Sequence, residues 1–273
     1  MRHFITLELK PYQENRGIRG VYDKRNRINN LTGKEWVFST RSVKTKEFKF
    51  ITDLKKAFMF DYYDFMPVEL INDLIQTFVK PGSTIVDPNC NFGSSSIAVG
   101  LNDLNYTYFG FNFHNNQLID HKPKTNSQIH LNEKSYEISK IKCIPDLVFS
   151  ELIFSTVFPE KRNIEINSWL KDIILYLKMI LPSIVKNTYF IFGLQNTRFN
   201  KEKTDEFRYI SNVSPVNTEL EKLNLLLKAE LIWKIPDNYI NVLKSVLKNK
   251  FRDSTDFSFL LNDKRILIYK LEF

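Results

Sequence analysis

Cysteine and histidine are scarce in this chain. It has only two cysteines among its 273 residues, Cys90 and Cys143, which are too few for a disulfide framework or a cysteine-rich metal cluster. The four histidines are scattered along the sequence: His3, His114, His121 and His130. Neither residue type forms the closely spaced group that a metal ion needs, so we expect two reduced thiols and no metal site.

Long apolar runs are also missing. No stretch is apolar over the length that a membrane-spanning helix requires. Residues 1–8 contain no apolar core of a signal peptide, so we expect a cytoplasmic protein without a membrane partner. The hydrophobic fraction of 43% is sufficient for a packed core, and the length fits one domain of the larger α/β kind.

Positive charge exceeds negative charge in this chain. The formal net charge is +8 and the isoelectric point is about 9.2. Such a balance is compatible with a polyanionic partner and makes nucleic acid a candidate. The alternative is a compositional bias of the source toward lysine, asparagine, isoleucine and phenylalanine, which would raise the lysine count without any binding role.

The first 50 residues differ in character from the rest. We predict that 1–50 form an irregular basic arm and that 51–273 form the main domain. Basic side chains are interleaved with Tyr12 and Tyr22 in the arm, a mixture that suits phosphate neutralisation and base stacking. The candidate nucleic-acid contacts are Arg16, Arg19, Lys24, Arg25 and Arg27. The alternative is a solvated extension that packs Trp36 onto the core.

Helix-like and strand-like segments alternate from Pro67 onward. Helices are predicted over 67–78, 94–101, 163–181, 218–227 and 239–250. Strands are predicted over 84–87, 106–111, 145–150, 188–193, 230–235 and 265–271. Between them, 112–141 is polar with a possible short strand or helix inside it, and 196–215 is predicted to be a loop. The alternation indicates an α/β fold with a doubly wound, mainly parallel sheet.

Residues 84–95, Thr-Ile-Val-Asp-Pro-Asn-Cys-Asn-Phe-Gly-Ser-Ser, form the most informative segment. They indicate a buried strand, a turn with glycine and serine, and the start of a helix. An open α/β sheet presents a nucleotide-like cofactor at such a point. The segment resembles the S-adenosylmethionine loop of DNA methyltransferases that act on exocyclic amines, whose pattern is Asp-Pro-Phe-x-Gly-x-Gly-Thr/Ser-Thr. This resemblance implies a Rossmann-like sheet of the S-adenosylmethionine-dependent methyltransferase type.

Other segments resemble the same family in the same order. Residues 32–36 are similar to a stretch that precedes the domain in some members. Residues 66–70 with 80–83 resemble the helix and turn before the family's cofactor strand, and 106–112 resemble its second strand. Residues 146–150 resemble the strand before its catalytic loop, and 231–234 and 266–270 resemble its last two strands.

The resemblance implies a set of cofactor-binding residues: Asp87, Pro88, Asn91, Gly93, Ser94 and Asn112. Asn91 stands where the family has its first glycine and adds a side chain where the ligand would lie. Asn112 stands where the family has an acidic residue that accepts hydrogen bonds from the ribose hydroxyls, and an amide lacks that charge. We therefore expect weakened S-adenosylmethionine binding. The alternative is an ordinary strand–turn–helix without a ligand.

The implied catalytic loop departs further from the family. The family pattern is Asp/Asn/Ser-Pro-Pro-Tyr/Phe, in which a side-chain oxygen and a proline carbonyl orient the target amine and the aromatic ring stacks on the flipped base. The corresponding residues here are Glu151, Leu152, Ile153 and Phe154. Glu151 and Phe154 keep an oxygen and a ring, but both prolines are missing and with them the stiff turn. The resemblance thus implies impaired catalysis.

These observations predict a catalytically impaired DNA methyltransferase-like subunit. Few residues lie between the family's segments, so there is little room for a base-recognition domain. Such a subunit would bind DNA or scaffold an active methyltransferase partner in a restriction–modification or defence setting. One alternative is an active DNA amino-methyltransferase, acting on adenine rather than cytosine, with Asp87, Gly93, Glu151 and Phe154 as working residues. Another is a protein-interaction module without DNA binding.

Overall fold

The computed structural model describes thirteen segments of the chain, and the statements below concern these residues. They are 9–39, 43–44, 66–90, 93–101, 104–111, 126–131, 144–152, 162–184, 187–194, 197–200, 207–210, 212–234 and 263–272. The α-helices in chain order are α1 (Gly33–Ser39), α2 (Val68–Phe78), α3 (Ser94–Gly100), α4 (Arg162–Ile180) and α5 (Val213–Glu221).

The strands come from almost the whole length of the chain. They are β1 (Gln13–Asn15), β2 (Val21–Asp23), β3 (Val43–Lys44), β4 (Thr84–Asp87), β5 (Thr107–Gly110), β6 (Gln128–Leu131), β7 (Leu147–Glu151), β8 (Tyr189–Leu194), β9 (Thr197–Asn200), β10 (Phe207–Ile210), β11 (Leu225–Lys234) and β12 (Asp263–Leu271).

One eight-stranded sheet, in the order β3-β11-β12-β8-β7-β4-β5-β6, organises these elements. The five strands from β8 to β6 are parallel to their neighbours. β12 is antiparallel to both β8 and β11. The chain builds β4, β5 and β6 outward in one direction and then returns to place β7 and β8 on the other side of β4. The predicted doubly wound, mainly parallel sheet is therefore confirmed.

The apolar faces of the helices cover the two sides of this sheet. On one side α2 and α3 bury Leu70, Ile71, Leu74 and Ala98 against the strands. On the other side α4 and α5 bury a second cluster of residues: Trp169, Ile173, Leu177, Val216 and Leu220. The predicted helices at 67–78, 94–101 and 163–181 are thus confirmed within one or two residues at each end.

Two predicted boundaries are wrong. The segment 196–215 is not simply a loop, because β9 and β10 pair as an antiparallel hairpin and α5 already begins at Val213. Aromatic and β-branched residues in both strands favour extended structure, and the lysine-rich residues between them obscured this in the sequence. The helix predicted over 218–227 ends at Glu221, since Asn224 adopts a positive φ of 59° and Leu225 opens β11.

Two further predictions concern segments only partly described. Within 112–141, β6 is a strand at Gln128–Leu131, one of the two possibilities expected there. The helix predicted over 239–250 lies outside the described residues.

The prediction of an irregular arm is wrong for residues 9–39, named here the N-terminal module. β1 and β2 form a hairpin around a 3-10 turn at Gly17–Arg19, and α1 follows. Thr32 and Glu35 cap α1 reciprocally: the Glu35 amide donates to Thr32 Oγ1 at 3.2 Å, and the Thr32 amide donates to Glu35 Oε2 at 2.9 Å. This Thr-x-x-Glu pattern is a capping box, and it gives the segment a defined helix start.

The N-terminal module packs onto the main sheet through α2. The Asn29 side-chain amide donates to the Thr77 carbonyl, and Asn29 is fully buried. The Trp36 ring meets the Phe78 ring edge-on with centroids 6.3 Å apart. The packing of Trp36 onto the core, which the sequence offered as the alternative, is thus what the structure has. The division at residue 50 stays a prediction.

Candidate active site

The candidate site lies where the strand order reverses. β4 and β7 are neighbours, yet the chain leaves them in opposite directions across the sheet. In open α/β sheets, ligands bind in the crevice beyond the carboxyl ends of the strands at such a switch point. Asp87 is the last residue of β4 and Glu151 is the last residue of β7, so the structure brings both predicted carboxylates to this edge.

The turn after β4 is held against the end of β5 by backbone hydrogen bonds. The Phe111 amide donates to the Asp87 carbonyl at 3.0 Å, and the Cys90 amide donates to the Phe111 carbonyl at 2.8 Å. The Gly93 amide then donates to the Cys90 carbonyl at 2.7 Å. Gly93 has a φ of +83°, which favours glycine, and α3 starts at the next residue, Ser94. The shape expected of a cofactor turn is therefore present at both of its described ends.

The Asp87 carboxyl group stabilises this turn from inside. Its Oδ1 accepts the Asn89 amide at 3.1 Å and its Oδ2 accepts the Ser95 hydroxyl at 2.6 Å. The Ser95 hydroxyl is also 2.7 Å from the Tyr108 hydroxyl, which extends the network to β5. Burial raises the pKa of Asp87 to about 7; hydrogen bonds from Ser95, Asn89 and Ser150 oppose this, and the nearby Glu151 charge adds to it. Near neutral pH the group changes between its neutral and charged forms.

Cys90 fills the space between the turn and β5. A Cβ atom on Gly110 would come within 2.8 Å of both Cys90 Sγ and Tyr108 Cε1, so only glycine fits there. Burial raises the pKa of the Cys90 thiol well above its usual range. Cys90 is therefore an unreactive thiol that packs the turn, in agreement with the prediction that it is reduced.

Glu151 belongs to a buried ion pair. Its Oε1 accepts hydrogen bonds from Lys264 Nζ and from the Met66 backbone amide, both at 2.6 Å. Glu151 is 3% exposed and Lys264 is 1% exposed. Burial raises the pKa of the Glu151 carboxyl group, and the Lys264 ammonium group opposes that rise. Glu151 thus connects β7 to β12 and to the residue that precedes α2.

Packing closes the carboxyl end of β7 and β8 around this pair. A Cβ atom on Gly193 would lie 3.0 Å from Met66 Cε and 3.4 Å from Glu151 Cγ. The Leu152 amide donates to the Gly193 carbonyl at 2.8 Å, and both Met66 and Leu152 are buried. Leu152, the residue after β7, is therefore packed against the end of β8.

Several predicted site residues can now be placed. Asp87, Pro88, Gly93 and Ser94 lie together at the turn after β4. Leu152 is buried beside β8. The remaining predicted residues, namely Asn91, Asn112, Ile153 and Phe154, lie outside the described residues.

Sequence reasoning missed Lys264, Ser95 and Tyr108. Lys264 stands between Asp263 and Arg265, a context typical of an exposed strand end, so its sequence gives no signal of burial. Ser95 and Tyr108 fall on a predicted helix and strand, and only the contact between these elements connects them to Asp87.

Three of the predicted nucleic-acid contacts are paired with carboxylates of the N-terminal module. Arg19 Nε lies 2.5 Å from Glu35, and Arg16 Nε lies 3.3 Å from Glu14. The Arg25 guanidinium contacts the Asp23 carboxylate through two nitrogens at 3.0 and 2.8 Å. The guanidinium carbon of Arg16 also lies 3.9 Å from the centroid of the Tyr22 ring, and that of Arg25 lies 3.6 Å from the centroid of the Tyr12 ring.

Lys24 and Arg27 differ from these three. Both are exposed, and none of the ion pairs found among the described residues involves either of them. They are therefore the two members of the predicted set that are exposed and belong to none of the ion pairs in the described ranges.

Two further properties concern metals and membranes. In the segments that the structure describes, no three histidine, cysteine, aspartate or glutamate side chains come together as a metal site would require. Over the same residues, no helix combines the length and the apolar character needed to cross a bilayer.

Comparison with known proteins gives structural but no sequence matches. No protein-family model matches the chain, and no curated protein matches it. Among solved structures, magnesium protoporphyrin IX methyltransferase of Synechocystis PCC 6803 with bound S-adenosylmethionine is 11% identical, with a TM-score of 0.39, over 70% of this chain and 71% of that one.

Two Geobacter proteins are similar over more of the chain. Precorrin-6y C5,15-methyltransferase of Geobacter metallireducens is 11% identical, with a TM-score of 0.45, and the match covers 80% of this chain and 94% of that one. An S-adenosylmethionine-dependent methyltransferase of Geobacter sulfurreducens, in complex with S-adenosyl-L-homocysteine, is 7% identical, with a TM-score of 0.45. That match covers 80% of this chain and 96% of the other.

The sheet defines the fold class of this chain. Five parallel strands reverse their order at β4, and the antiparallel β12 lies between β8 and β11. This is the Rossmann-like fold of the S-adenosylmethionine-dependent methyltransferases. The low identities and TM-scores add no argument to the strand order, and none of the three proteins is named as a DNA methyltransferase.

Proposed function

We propose that the chain is a catalytically impaired DNA methyltransferase-like subunit that binds DNA, scaffolds an active methyltransferase partner, or does both. The observation that supports impaired catalysis is the state of Glu151. The resemblance to the amino-methylating enzymes assigns this position to the oxygen that orients the target amine. In this chain that side chain is 3% exposed and is bound to Lys264 and to the Met66 amide.

A catalytic acceptor must be free to meet its substrate. Turning Glu151 toward a bound base would break its buried ion pair with Lys264, and breaking a buried ion pair costs about 3–5 kcal/mol. Misplacing a positioning group by about 1 Å already costs on the order of a hundredfold in rate. The ion pair therefore favours a structural role for Glu151 over a catalytic one.

S-adenosylmethionine is the ligand that we propose for the turn after β4. Gly93 and Ser94 would approach it through their backbones at the start of α3, with Asp87 fixing the turn from inside. Bound there, S-adenosylmethionine would supply an activated methyl group. The side chains of Asn91 and Asn112 would weaken its binding for the reasons given above.

The partner subunit is proposed by analogy. Heteromeric methyltransferases that combine a catalytic and an inactive subunit are a known arrangement for this fold, and such a subunit would fit a restriction–modification or defence setting. Fold alone does not establish a function, so the proposal depends on the state of the site and on the charge of the chain.

DNA binding is tested by titrating the purified chain with duplex DNA at several salt concentrations. We expect the logarithm of the binding constant to fall linearly with the logarithm of salt concentration, with a slope of about −0.9 for each phosphate neutralised. Affinity that is absent, or that does not change with salt, would contradict DNA binding and would favour the protein-interaction module.

A further inference from the structure

The N-terminal module contains a pocket separate from the candidate active site. Its volume is about 340 Å³, at the lower end of the range typical of small-molecule sites. Its lining residues include the apolar Val21, Ile28 and Leu31, the aromatic Trp36, and the polar Asn26 and Asn29. A mainly apolar pocket with an aromatic wall and a few polar groups suits a planar, partly polar ligand.

Hydrogen bonds and a ring contact fix three of the residues that line this pocket. Asn26 Nδ2 donates to Asn29 Oδ1 at 2.8 Å, and Asn29 is in turn anchored to the Thr77 carbonyl. Trp36 is fixed by its edge-on contact with Phe78 and by the capping of α1. A pocket built in this way is preformed, so a ligand does not have to organise it.

The pocket lies at the opposite edge of the sheet from Asp87 and Glu151. Phe78 ends α2 and contacts Tyr189, the first residue of β8, with ring centroids 4.9 Å apart. The candidate active site is instead at the carboxyl ends of the parallel strands. A ligand in the pocket would therefore be remote from the turn that resembles a cofactor loop.

The charge of the N-terminal module selects the class of ligand. Residues 9–39 contain seven lysines and arginines and three acidic residues, a net charge of +4. Asp23 lines the pocket, but its carboxylate is bound by Arg25. Lys24 and Arg27 flank the lining residues Asp23 and Asn26, and both are exposed. Cations beside an aromatic, apolar pocket complement a base that is attached to phosphates.

We propose that this pocket binds one unstacked base of a nucleic acid strand, with the adjacent phosphates held by Lys24 and Arg27. The proposal rests on the DNA-binding part of the proposed function and adds a location to it. Stacking on Trp36 would supply sequence-tolerant affinity. The Asn26 and Asn29 amides hold the wall of the pocket in place through their own hydrogen bonds.

The experiment compares two labelled single-stranded oligodeoxynucleotides of equal length by fluorescence anisotropy, one complete and one with abasic sites at alternate positions. We expect the abasic strand to bind about tenfold more weakly, which lies within the range that stacking of one base on an aromatic side chain contributes. Excess deoxynucleoside monophosphate is the competitor that separates the two sources of such a ligand. Displacement at micromolar concentration would identify free nucleotides, and displacement only above millimolar concentration would identify strands.

Gly33→Leu tests the pocket itself. Gly33 lines the pocket, a Cβ atom there would meet nothing within 4 Å, and leucine is a better helix residue than glycine. We expect this variant to keep its melting temperature, to bind the complete strand as weakly as the abasic strand, and to bind the abasic strand unchanged. Equal binding of both strands by the unaltered protein would overturn the proposal, and so would a Gly33→Leu variant that still prefers the complete strand.

A matched pair of double variants tests the phosphate contacts. Lys24→Ala with Arg27→Ala should weaken binding of both strands and reduce the salt slope by about 1.4, the value for two phosphates of a single strand. Lys171→Ala with Lys178→Ala removes the same charge from exposed positions of α4 and should leave that slope unchanged. An equal effect of both pairs would overturn the phosphate assignment.

The failure of the pocket and the failure of DNA binding give different results. If duplex DNA binds in the salt titration but neither the complete nor the abasic oligodeoxynucleotide binds, only the pocket proposal is wrong. If neither duplex nor single-stranded DNA binds, the proposed DNA binding is wrong as well.

Discussion

Asp87→Asn should stabilise the protein progressively as pH rises from 5 to 8. Burial raises the pKa of Asp87 from 3.8 to about 7 in the folded protein. Between these values the unfolded chain loses a proton that the folded protein keeps, so the free energy of unfolding of the wild type falls as pH rises through this range and levels off above pH 7. Asparagine does not titrate, and its amide can donate to Ser95 while its oxygen accepts the Asn89 amide.

The measurement is urea unfolding of both proteins at pH 5, 6, 7 and 8. The free energy of unfolding of the variant minus that of the wild type should grow by roughly 2.5 kcal/mol from pH 5 to pH 8, because each unit of pKa difference corresponds to about 1.4 kcal/mol. Ser95→Ala is the companion variant: removing a hydrogen bond to the carboxylate should move the change to higher pH. A difference that stays constant across this range would contradict the account of Asp87.

Lys264→Met should destabilise the protein by about 3–5 kcal/mol, since it leaves the Glu151 carboxyl group buried without its cation. Adding Glu151→Gln should recover most of that loss. Glutamine keeps an oxygen that can accept the Met66 amide, and methionine fills most of the volume of the lysine side chain. An ion pair replaced by neutral residues of similar size is often neutral in its effect on stability.

Urea unfolding of the two single variants and the double variant gives the coupling energy directly. Glu151→Gln alone should also be destabilising, because the buried Lys264 ammonium group would lose the carboxylate that it contacts. The double variant should be clearly more stable than the sum of the single effects predicts. Strict additivity would show that Glu151 and Lys264 do not stabilise each other, and the structural role assigned to Glu151 would be lost with it.

Much of the described central sheet and its helices could be predicted from the sequence because the signals are local. Pro67 and the apolar spacing of Val68, Ile71 and Leu74 fix α2, and the run from Thr84 to Asp87 followed by glycine and serine fixes β4 and its turn. The order of these segments was enough to predict a doubly wound sheet. The position of Asp87 at the carboxyl edge follows from that order alone.

The ion pair could not be predicted, because it depends on pairing between distant strands. Glu151 and Lys264 are 113 positions apart, and the contact exists only because the antiparallel β12 lies beside β8. The resemblance to catalytic loops drew attention to Glu151 but carried no information about the side chain it would meet. The burial of Lys264 has no local sign in a segment that begins with three charged residues.

The N-terminal hairpin was missed for a different reason. β1 and β2 have three residues each, too short for an alternating apolar pattern, and their faces carry charged side chains. What organises them is a set of specific polar contacts, including the capping of α1 and the Asn29 anchor on Thr77. Composition therefore suggested an irregular arm where asparagine side chains and ion pairs build a folded one.

The central claim of the proposal is that a structural ion pair holds Glu151, the carboxylate that the resemblance assigns to the catalytic loop. The most direct test incubates the purified chain with DNA and radiolabelled S-adenosylmethionine at saturating concentration and measures label incorporated into the DNA, beside an active DNA amino-methyltransferase as the positive control. We predict no incorporation above the background without protein. Incorporation by the wild type would contradict impaired catalysis. If that incorporation also disappears in the Lys264→Met, Glu151→Gln double variant, which should keep most of the wild-type stability, Glu151 would be a catalytic residue.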